Sequence, residues 1–482
     1  MSLSKQGCTT PVVPLVVDLD GTLLKTDMLA ETLLEVARSR PWSIPECLLE
    51  FRAGIAHGKR FLASRVSVYP ALLPFEDAAL DAIRSAKAAG RPVILATATD
   101  QIVAQQIAGH VGAIDTVLAS DGHTNLSAER KRRVLVDLYG ERGFDYIGNS
   151  LDDIPVIASS DKAFLVRPSK RVQAAAQSAN RETATLIHPD VTLRDWWRAL
   201  RVHQWAKNAL LLLPMLAAHS VTPQLMLQLF IAFLTFSFMA SSVYLLNDLL
   251  DLPHDRRHAE KRNRPLAAGR LPLAHAAAAM VMLLATSITL ATTLLPPAFV
   301  LTLSAYYAAT LAYSFALKRL PILDVLALAL LYTLRIVAGA AAVSIPLTAW
   351  MLAFSLFTFL SLALVKRYSE LSELIADTPN QSPSGRGYQA NDLSLLQNLG
   401  TAAGYLSALV LALYIQDEAT TMLYGRPNVI WIAIPVWLYW ITRVWMLTHR
   451  GCMHQDPVTF AISDRTSYFT AGLLAIVFLI AR

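Results

Sequence analysis

Two short acidic runs in this chain combine residue types that can do chemistry on phosphate. The first is Asp18-Leu19-Asp20-Gly21-Thr22-Leu23, directly after the apolar run 12–17. Carboxylates two positions apart at the end of a buried strand can ligate one Mg²⁺, and Gly21 permits the sharp turn this requires. The second is Asn247-Asp248-Leu249-Leu250-Asp251-Leu252-Pro253-His254-Asp255-Arg256-Arg257, at the end of a long apolar stretch. Asn247, Asp251 and Asp255 recur every four residues and share one face if the helix continues, although Pro253 bends or ends it. Hard oxygen ligands so spaced suit Mg²⁺, which binds through one or two carboxylates plus phosphate oxygens. The basic residues that follow, Arg256, Arg257, Lys261, Arg262 and Arg264, can hold phosphate oxygens directly. An isolated run of this kind is usually a solvated helix end with a basic anchor. Its place at the edge of an apolar span, where charge is costly, points to function instead.

The elements that must position these runs fall into two halves. The chain has 482 residues, 54% hydrophobic and 16% charged, and a formal net charge of +6. Its length implies at least two domains. Up to about residue 200 the sequence mixes charge, apolar runs and turns, as a soluble α/β domain does. Residues 12–17 and 93–97 read as buried strands, with a third around Phe144–Ile147, and helical patterns cover 76–89 and 101–111. Such alternation predicts a doubly wound parallel sheet. The mostly helical stretch 27–75 is expected to form a cap over the sheet's carboxyl edge, where ligands of such folds bind. Residues 168–193 read as a linker. The N-terminal apolar run is short and leads into acid, so it reads as a strand rather than a signal peptide.

Beyond the linker come about nine apolar stretches approaching the roughly 20 residues a bilayer requires. They lie near 206–219, 224–246, 272–293, 298–316, 322–342, 348–365, 399–415, 428–447 and 466–481. Basic clusters at 256–264, 318–319, 366–367 and 443–465 alternate with connections almost free of Lys and Arg, among them QDEATTMLYGRPN. Basic loops stay cytoplasmic, so nine spans starting inside keep the N-terminal half and every basic loop on that side. These loops account for the positive charge, and nucleic acid is not an expected partner. Cys8, Cys47 and Cys452 are scattered, which argues against a disulfide framework or a cysteine metal site. His203, His254 and His258 are read as solvated interfacial residues.

The run Val16-Val17-Asp18-Leu19-Asp20-Gly21-Thr22-Leu23 resembles the first motif of the HAD superfamily of phosphohydrolases, over about residues 12–170. The resemblance implies Asp18 as nucleophile, forming an aspartyl phosphate, and Asp20 as general acid and base. Thr97 matches the second motif's hydroxyl and Lys131 the third motif's charge. The fourth motif, an acidic pair in the family, reads Gly148-Asn149-Ser150-Leu151-Asp152-Asp153. Asn149 stands where the usual Asp would be; it brings an oxygen for Mg²⁺ but no charge, and Asp152 or Asp153 compensates. The implied Mg²⁺ set is Asp18, Asp20, Asn149 and Asp153.

From about residue 194 onward the chain resembles the UbiA superfamily of membrane transferases, a bundle of nine transmembrane helices. The likeness rests on NDLLDLPHDRRHAEKRNRPLAAGRL, on Tyr313-Ser-Phe-Ala-Leu-Lys318-Arg319 with Asp324, and on Asp456-Pro-Val with Asp464. It implies Asn247, Asp248, Asp251 and Asp255 as the first-motif ligands of Mg²⁺ and a diphosphate. The second motif lacks a clean DxxxD run, which leaves Lys318 as a candidate contact beside Arg319 and Asp324. Two further segments, Arg201-Val-His-Gln204-Trp205-Ala-Lys207-Asn208 and Lys366-Arg367-Tyr368-Ser-Glu370, resemble the decaprenyl-phosphate phosphoribosyltransferase branch. That branch implies 5-phosphoribosyl 1-diphosphate as donor and a polyprenyl phosphate as acceptor, with the HAD-like domain a phosphatase for the lipid-linked product. Two other readings stand beside it: prenyl transfer from a polyprenyl diphosphate to a 4-hydroxybenzoate-like acceptor, and a non-catalytic HAD module on a membrane scaffold.

Lys207, Lys366 and Arg367 sit at cytoplasmic span ends. There they either grip a second phosphate or snorkel as anchors. Arg335, inside the fifth span, either faces a lipid phosphate or makes an internal ion pair. The expected organisation is a HAD-like domain over 1–170, a linker over 171–193 and a UbiA-type transmembrane domain over 194–482, in the inner membrane with the N-terminal domain cytoplasmic.

Overall fold

A computed structural model describes residues 12–188, 191–377, 387–417, 422–453 and 456–482. Cys8, residues 189–190 of the expected linker and 418–421 of the QDEATTMLYGRPN connection lie outside them. The chain divides into two compact units. One comprises Met1–Leu200 with Tyr244–Met280, the other Arg201–Val243 with Val281–Arg482.

The first unit is built on a parallel sheet of β1 (Leu15–Val17), β2 (Val93–Asp100), β3 (Thr116–Ser120), β4 (Asp145–Gly148), β5 (Ala163–Val166) and β6 (Thr183–Ile187). Their order is β3-β2-β1-β4-β5-β6. Val17 is in register with Leu95 on one side and Ile147 on the other. All three β1 residues are buried. Their alternation sends Leu15 and Val17 to one core layer with Leu95 and Ile147, and Val16 to the other with Ile94 and Tyr146. Because the chain leaves β1 for β2 on one flank and reaches β4 on the other, the switch point of the winding is at the end of β1. Ligands of open α/β sheets bind at such a point, and Asp18 is the first residue beyond it. Between β1 and β2, helices Met28–Ser39, Ile44–Ala53 and Ile55–Arg65 form the helical insertion expected over 27–75.

The stretch 168–193 is not the linker expected. It carries helix Lys170–Ala179 and the edge strand β6. Val172 and Ala176 anchor the helix. β6 alternates half-buried and exposed positions, as an edge strand does, so it presents no continuous apolar run to the eye.

Among the described residues, seven helices are long and apolar enough to cross a bilayer: Pro223–Leu250, Leu273–Leu294, Pro297–Phe315, Leu323–Val343, Ala349–Ile375, Ala390–Gln416 and Pro427–His449. The pair Pro457–Ser463 and Arg465–Ala481, bent by 79°, makes up to eight. Only 17% of the Leu273–Leu294 and Pro297–Phe315 windows is buried, against 61% for Leu323–Val343. An apolar helix surface left so open within the fold is a lipid-facing one. The expected first span, 206–219, instead becomes a 3-10 helix, Val202–Leu212, followed by the short helix Leu213–Ala217. Polar Lys207 and Asn208 are buried here and need partners that a lipid-exposed helix could not offer. Gly339 admits this segment: a Cβ there would stand 2.1 Å from the Leu211 carbonyl oxygen.

Candidate active sites

In the first unit, Asp18 is buried and its carboxylate accepts a hydrogen bond from Lys131 Nζ at 2.6 Å. The same ammonium donates to the Tyr146 hydroxyl at 3.0 Å and to Asp153 at 3.4 Å. Lys131 comes from helix Ala128–Tyr139, Tyr146 from β4, and Asp153 from the turn after it. Asp153 is fixed in turn by the backbone N–H groups of Asn149 and Ser150 and by the Ser150 hydroxyl. Asp20 accepts from the Met28 backbone N–H and from the Thr99 hydroxyl, both at 2.7 Å. Thr97 is fully buried, and its Oγ accepts from the Thr99 backbone N–H at 3.0 Å. Asp152 is exposed, so of the two candidates beside Asn149 it is Asp153 that joins the cluster.

Burial pushes Asp18 up to about 7, with Lys131 opposing it and Asp153 and Asp20 adding to it. Burial likewise raises Asp20 to about 6, helped by the charge of Asp27. Lys131 loses some basicity to burial, but Asp18 and Asp153 outweigh that and hold it charged. A nucleophilic carboxylate must be ionised, so this cluster calls for one more cation. Asn149 is the residue that fits it. Its Oδ1 is buried with no hydrogen-bond partner, and its amide lies so close to Gly21 that a Cβ there would meet Nδ2 at 2.0 Å. A hard divalent cation held by Asp18, Asp20 and the Asn149 oxygen would satisfy that orphan. Two participants escaped the sequence reading. Thr99 lies two residues beyond Thr97 in the same strand, and Lys59 on the cap donates to the Ala98 carbonyl at 2.7 Å. Lys59 falls in the stretch expected to be a cap, but nothing local marks it out.

In the second acidic run, helix Pro223–Leu250 stops one residue before Asp251, and helix Leu252–Arg257 begins with Pro253 in its first turn. The four-residue periodicity nevertheless survives the joint. The Asp251 N–H bonds to the Asn247 carbonyl at 2.8 Å, and the Asp255 N–H to the Asp251 carbonyl at 2.9 Å. Asp248 and Asp255 are both buried and converge on Arg264 Nη1, at 3.2 and 2.6 Å. Arg264 is thereby brought to the motif, while Arg262 is exposed. Arg256 points elsewhere: it makes a two-pronged ion pair with Glu31 and donates to the Ala267 carbonyl. Among the described residues no three His, Cys, Asp or Glu side chains gather as a metal-holding group. Mg²⁺ at either acidic centre of the first unit would therefore rely on two carboxylates completed by amide or phosphate oxygens, which is its ordinary manner of binding. A pair of buried carboxylates already sharing one cation fits that demand.

The second unit brings together Lys207 and Lys366, whose ammonium groups meet Asp456 Oδ2 at 3.0 and 3.4 Å. Lys207 also lies over the Tyr332 ring, 5.6 Å from its centre. Asp456 caps helix Pro457–Ser463; the Asp-Pro-Val resemblance pointed to the region but not to these partners. Arg367 is placed differently. It is buried against Asp324 at 2.7 Å and against Glu370, and Tyr388 donates to the other Asp324 oxygen. Arg335 is also enclosed: it donates to Asn208, to the Leu331 carbonyl and to Tyr306, within a cage of Phe236, Tyr306 and Tyr332 rings. Among the described residues it forms no internal ion pair, because amide, carbonyl, phenol and ring faces supply what an acid would. Lys318 is half-buried in the 3-10 turn Leu317–Arg319 that follows Pro297–Phe315.

Residues 209–460 match the UbiA prenyltransferase family. An uncharacterized protein of Sinorhizobium fredii is 37% identical over 487 aligned residues, covering 100% of this chain and 93% of that one. The nodulation protein NoeC of Azorhizobium caulinodans is 37% identical over 292 residues, 60% of this chain and 92% of its own. A decaprenyl-phosphate phosphoribosyltransferase of Mycolicibacterium smegmatis is 30% identical over 275 residues, 56% of this chain and 86% of its own. With its apolar helices and its aspartate motif in place, the chain belongs to the UbiA prenyltransferase family of multi-pass membrane transferases, and it carries a parallel α/β sheet fold ahead of that domain.

Proposed function

We propose that the membrane domain transfers 5-phosphoribosyl from 5-phosphoribosyl 1-diphosphate to a polyprenyl phosphate such as decaprenyl phosphate, and that the hydrolase domain removes the 5-phosphate of the lipid-linked product. The observation that carries the transfer reading is the convergence of Lys207 and Lys366 on Asp456. Two ammonium groups drawn to one anion, Lys207 buried and Lys366 partly exposed, form a seat for a phosphate. A phosphate acceptor needs such a seat and a phenolic acceptor does not. The named phosphoribosyltransferase relative supports the same choice of substrates.

In this reading Asn247, Asp248, Asp251 and Asp255 would hold Mg²⁺, which neutralises the diphosphate of the donor. Arg264 releases its carboxylates and turns to the diphosphate oxygens. Lys207 and Lys366 hold the lipid phosphate, whose oxygen forms the new bond to ribose C1 as the C1–O bond to diphosphate breaks. In the hydrolase site Asp18 attacks the 5-phosphorus and Asp20 protonates the departing 5-oxygen; Asp20 then takes the proton of the water that frees Asp18. Lys131 and Thr97 hold the phosphoryl oxygens, and Asp153 and Tyr146 hold Lys131 in place. The alternation of basic connections with ones almost free of Lys and Arg supports an inner-membrane protein with both sites cytoplasmic. The test is a comparison of donors and acceptors. Purified full-length protein with Mg²⁺ should make lipid-linked phosphoribose from 5-phosphoribosyl 1-diphosphate and decaprenyl phosphate. Prenylation of 4-hydroxybenzoate from a polyprenyl diphosphate, with no ribose transfer, would replace this reading.

A further inference from the structure

Away from both acidic centres, the short helix Leu193–Ala199 presents a face that nothing in the fold covers. Leu193 and Trp197 are 89% and 60% exposed. Four positions apart, they stand on one face of the helix. Arg194 and Arg198, each the next residue along, are exposed beside them at the same spacing. The other side is held, with Asp195 and Ala199 buried. Single exposed apolar side chains are ordinary, but a tryptophan and a leucine in one stripe with an arginine stripe alongside are not. A helix lying in the surface of an anionic bilayer has this composition: the apolar stripe enters the leaflet and the arginines meet lipid phosphates.

The helix also stands at the right height. Asp195 closes the capping box with Thr192 through one carboxylate oxygen, and its other oxygen accepts from Arg270 Nε at 2.9 Å. Arg270 donates in addition to the Asn263 carbonyl, so the helix is fixed to the connection that leads into Leu273–Leu294. That helix has 22 residues. It is therefore about 33 Å long, close to the roughly 30 Å of a bilayer's hydrocarbon. Its first turn lies at the hydrocarbon boundary, and Arg270, just ahead of it, lies among headgroups. A helix ion-paired to Arg270 shares that level. Leu193–Ala199, Arg270 and Leu273 all belong to the first unit. A second copy of the chain suits this face poorly, because a two-fold contact would bring the two arginine pairs together.

We infer that Leu193–Ala199 anchors the first unit to the membrane surface, with Leu193 and Trp197 set into the leaflet and Arg194 and Arg198 on the phosphates of anionic lipids. The inference goes beyond the transfer and hydrolysis reading and does not rest on it. The first unit is then held to the bilayer at a point outside the spanning helices.

Brominated lipid quenches a tryptophan that reaches the leaflet, and the difference between the parent and Trp197→Phe isolates Trp197 from the other tryptophans. The full-length protein is placed in nanodiscs of phosphatidylcholine with phosphatidylglycerol, and in the same discs with both lipids brominated on their acyl chains. Emission from Trp197 should fall at least about twofold on bromination. In Arg194→Glu/Arg198→Glu, measured with and without Trp197→Phe, it should recover to within about a fifth of the unbrominated value. Arg194→Lys/Arg198→Lys keeps both charges and should stay quenched. Unfolding temperatures within about 3 °C of the parent show that these variants fold. Discs of phosphatidylcholine alone test the anionic partner with the arginines unaltered, and there the quenching should drop by at least about half. Trp197 emission indifferent to bromination would overturn the inference. So would quenching that is undiminished both in the double-glutamate variant and without phosphatidylglycerol. Emission that changes instead between one and two copies per disc would assign the face to a second copy and overturn it as well.

Discussion

The two acidic centres of the first unit solve one problem in opposite ways. In the hydrolase cleft, Asp18 is neutralised by Lys131, a residue 113 positions away that arrives on another helix. In the aspartate motif, Asp248 and Asp255 share Arg264, only 16 and 9 positions away, delivered by the next turn of chain. The cleft is therefore built by the whole sheet, whereas the motif carries its own counter-charge. A cleft of this kind is rigid before its ligand comes: Lys131, Tyr146 and Asp153 brace one another. The motif, by contrast, holds its acids with a partly exposed arginine that a substrate phosphate can draw away.

The sharpest way to break this comparison is to remove one acid from each centre. Asp18→Asn should lower phosphate release by about 10³-fold or more, and Asp255→Asn should lower ribose transfer by roughly 10²–10³-fold. Each should leave the other reaction within about twofold, as initial rates with separate substrates would show. Cross-inactivation would mean the centres are not separate. A smaller effect sharpens the role of the arginines. Arg264→Ala should cost transfer about tenfold, mainly in KM for the donor, whereas Arg262→Ala should stay within about twofold.

Lys207→Met is expected to raise KM for the lipid phosphate by about tenfold and to change kcat less, since it removes a charge-assisted contact and leaves the aspartate motif intact. Equal losses with lipid phosphate and with a phosphate-free acceptor would remove the basis for the lysine seat.

The smallest effect concerns pH. Burial raises Asp18 to about 7 and Asp20 to about 6, although Lys131 beside Asp18 opposes the rise. The folded state then binds their protons more tightly than the unfolded state, so the stability they contribute is present in acid and lost as pH rises through 6 to 7. Mg²⁺ should offset that loss. Its effect on the unfolding temperature should be about 2–4 °C larger at pH 8 than at pH 5 in the full-length protein, and the difference should shrink in Asp18→Asn.

Local chemistry was easy to read in advance, and long-range packing was not. The DLDGT turn, the buried strands β1 and β2 and the NDxxDxxxD run announce themselves through spacing and apolar pattern. β3 and β6 do not, because their faces are only partly buried, and β6 reads as a linker for that reason. The stretch 206–219 looked like a span because its apolar content is high. Its buried Lys207 and Asn208 require Asp456, Ser237 and Arg335, all distant in sequence. Among the cations, position at a span end could not separate Lys366, which joins Lys207, from its neighbour Arg367, which is buried against Asp324. One residue along a helix turns a side chain by about 100°, and only the packed neighbours decide which one reaches a site.

The central claim is that two centres act in series on one lipid. It is tested most directly by supplying the full-length protein with labelled 5-phosphoribosyl 1-diphosphate, decaprenyl phosphate and Mg²⁺, and resolving the lipid products over time. The parent should form lipid-linked phosphoribose first and convert it to lipid-linked ribose, while Asp18→Asn should stop at the phosphorylated lipid. Lipid-linked ribose formed at the parent's rate by Asp18→Asn, or no lipid-linked ribose product from either protein, would contradict the account.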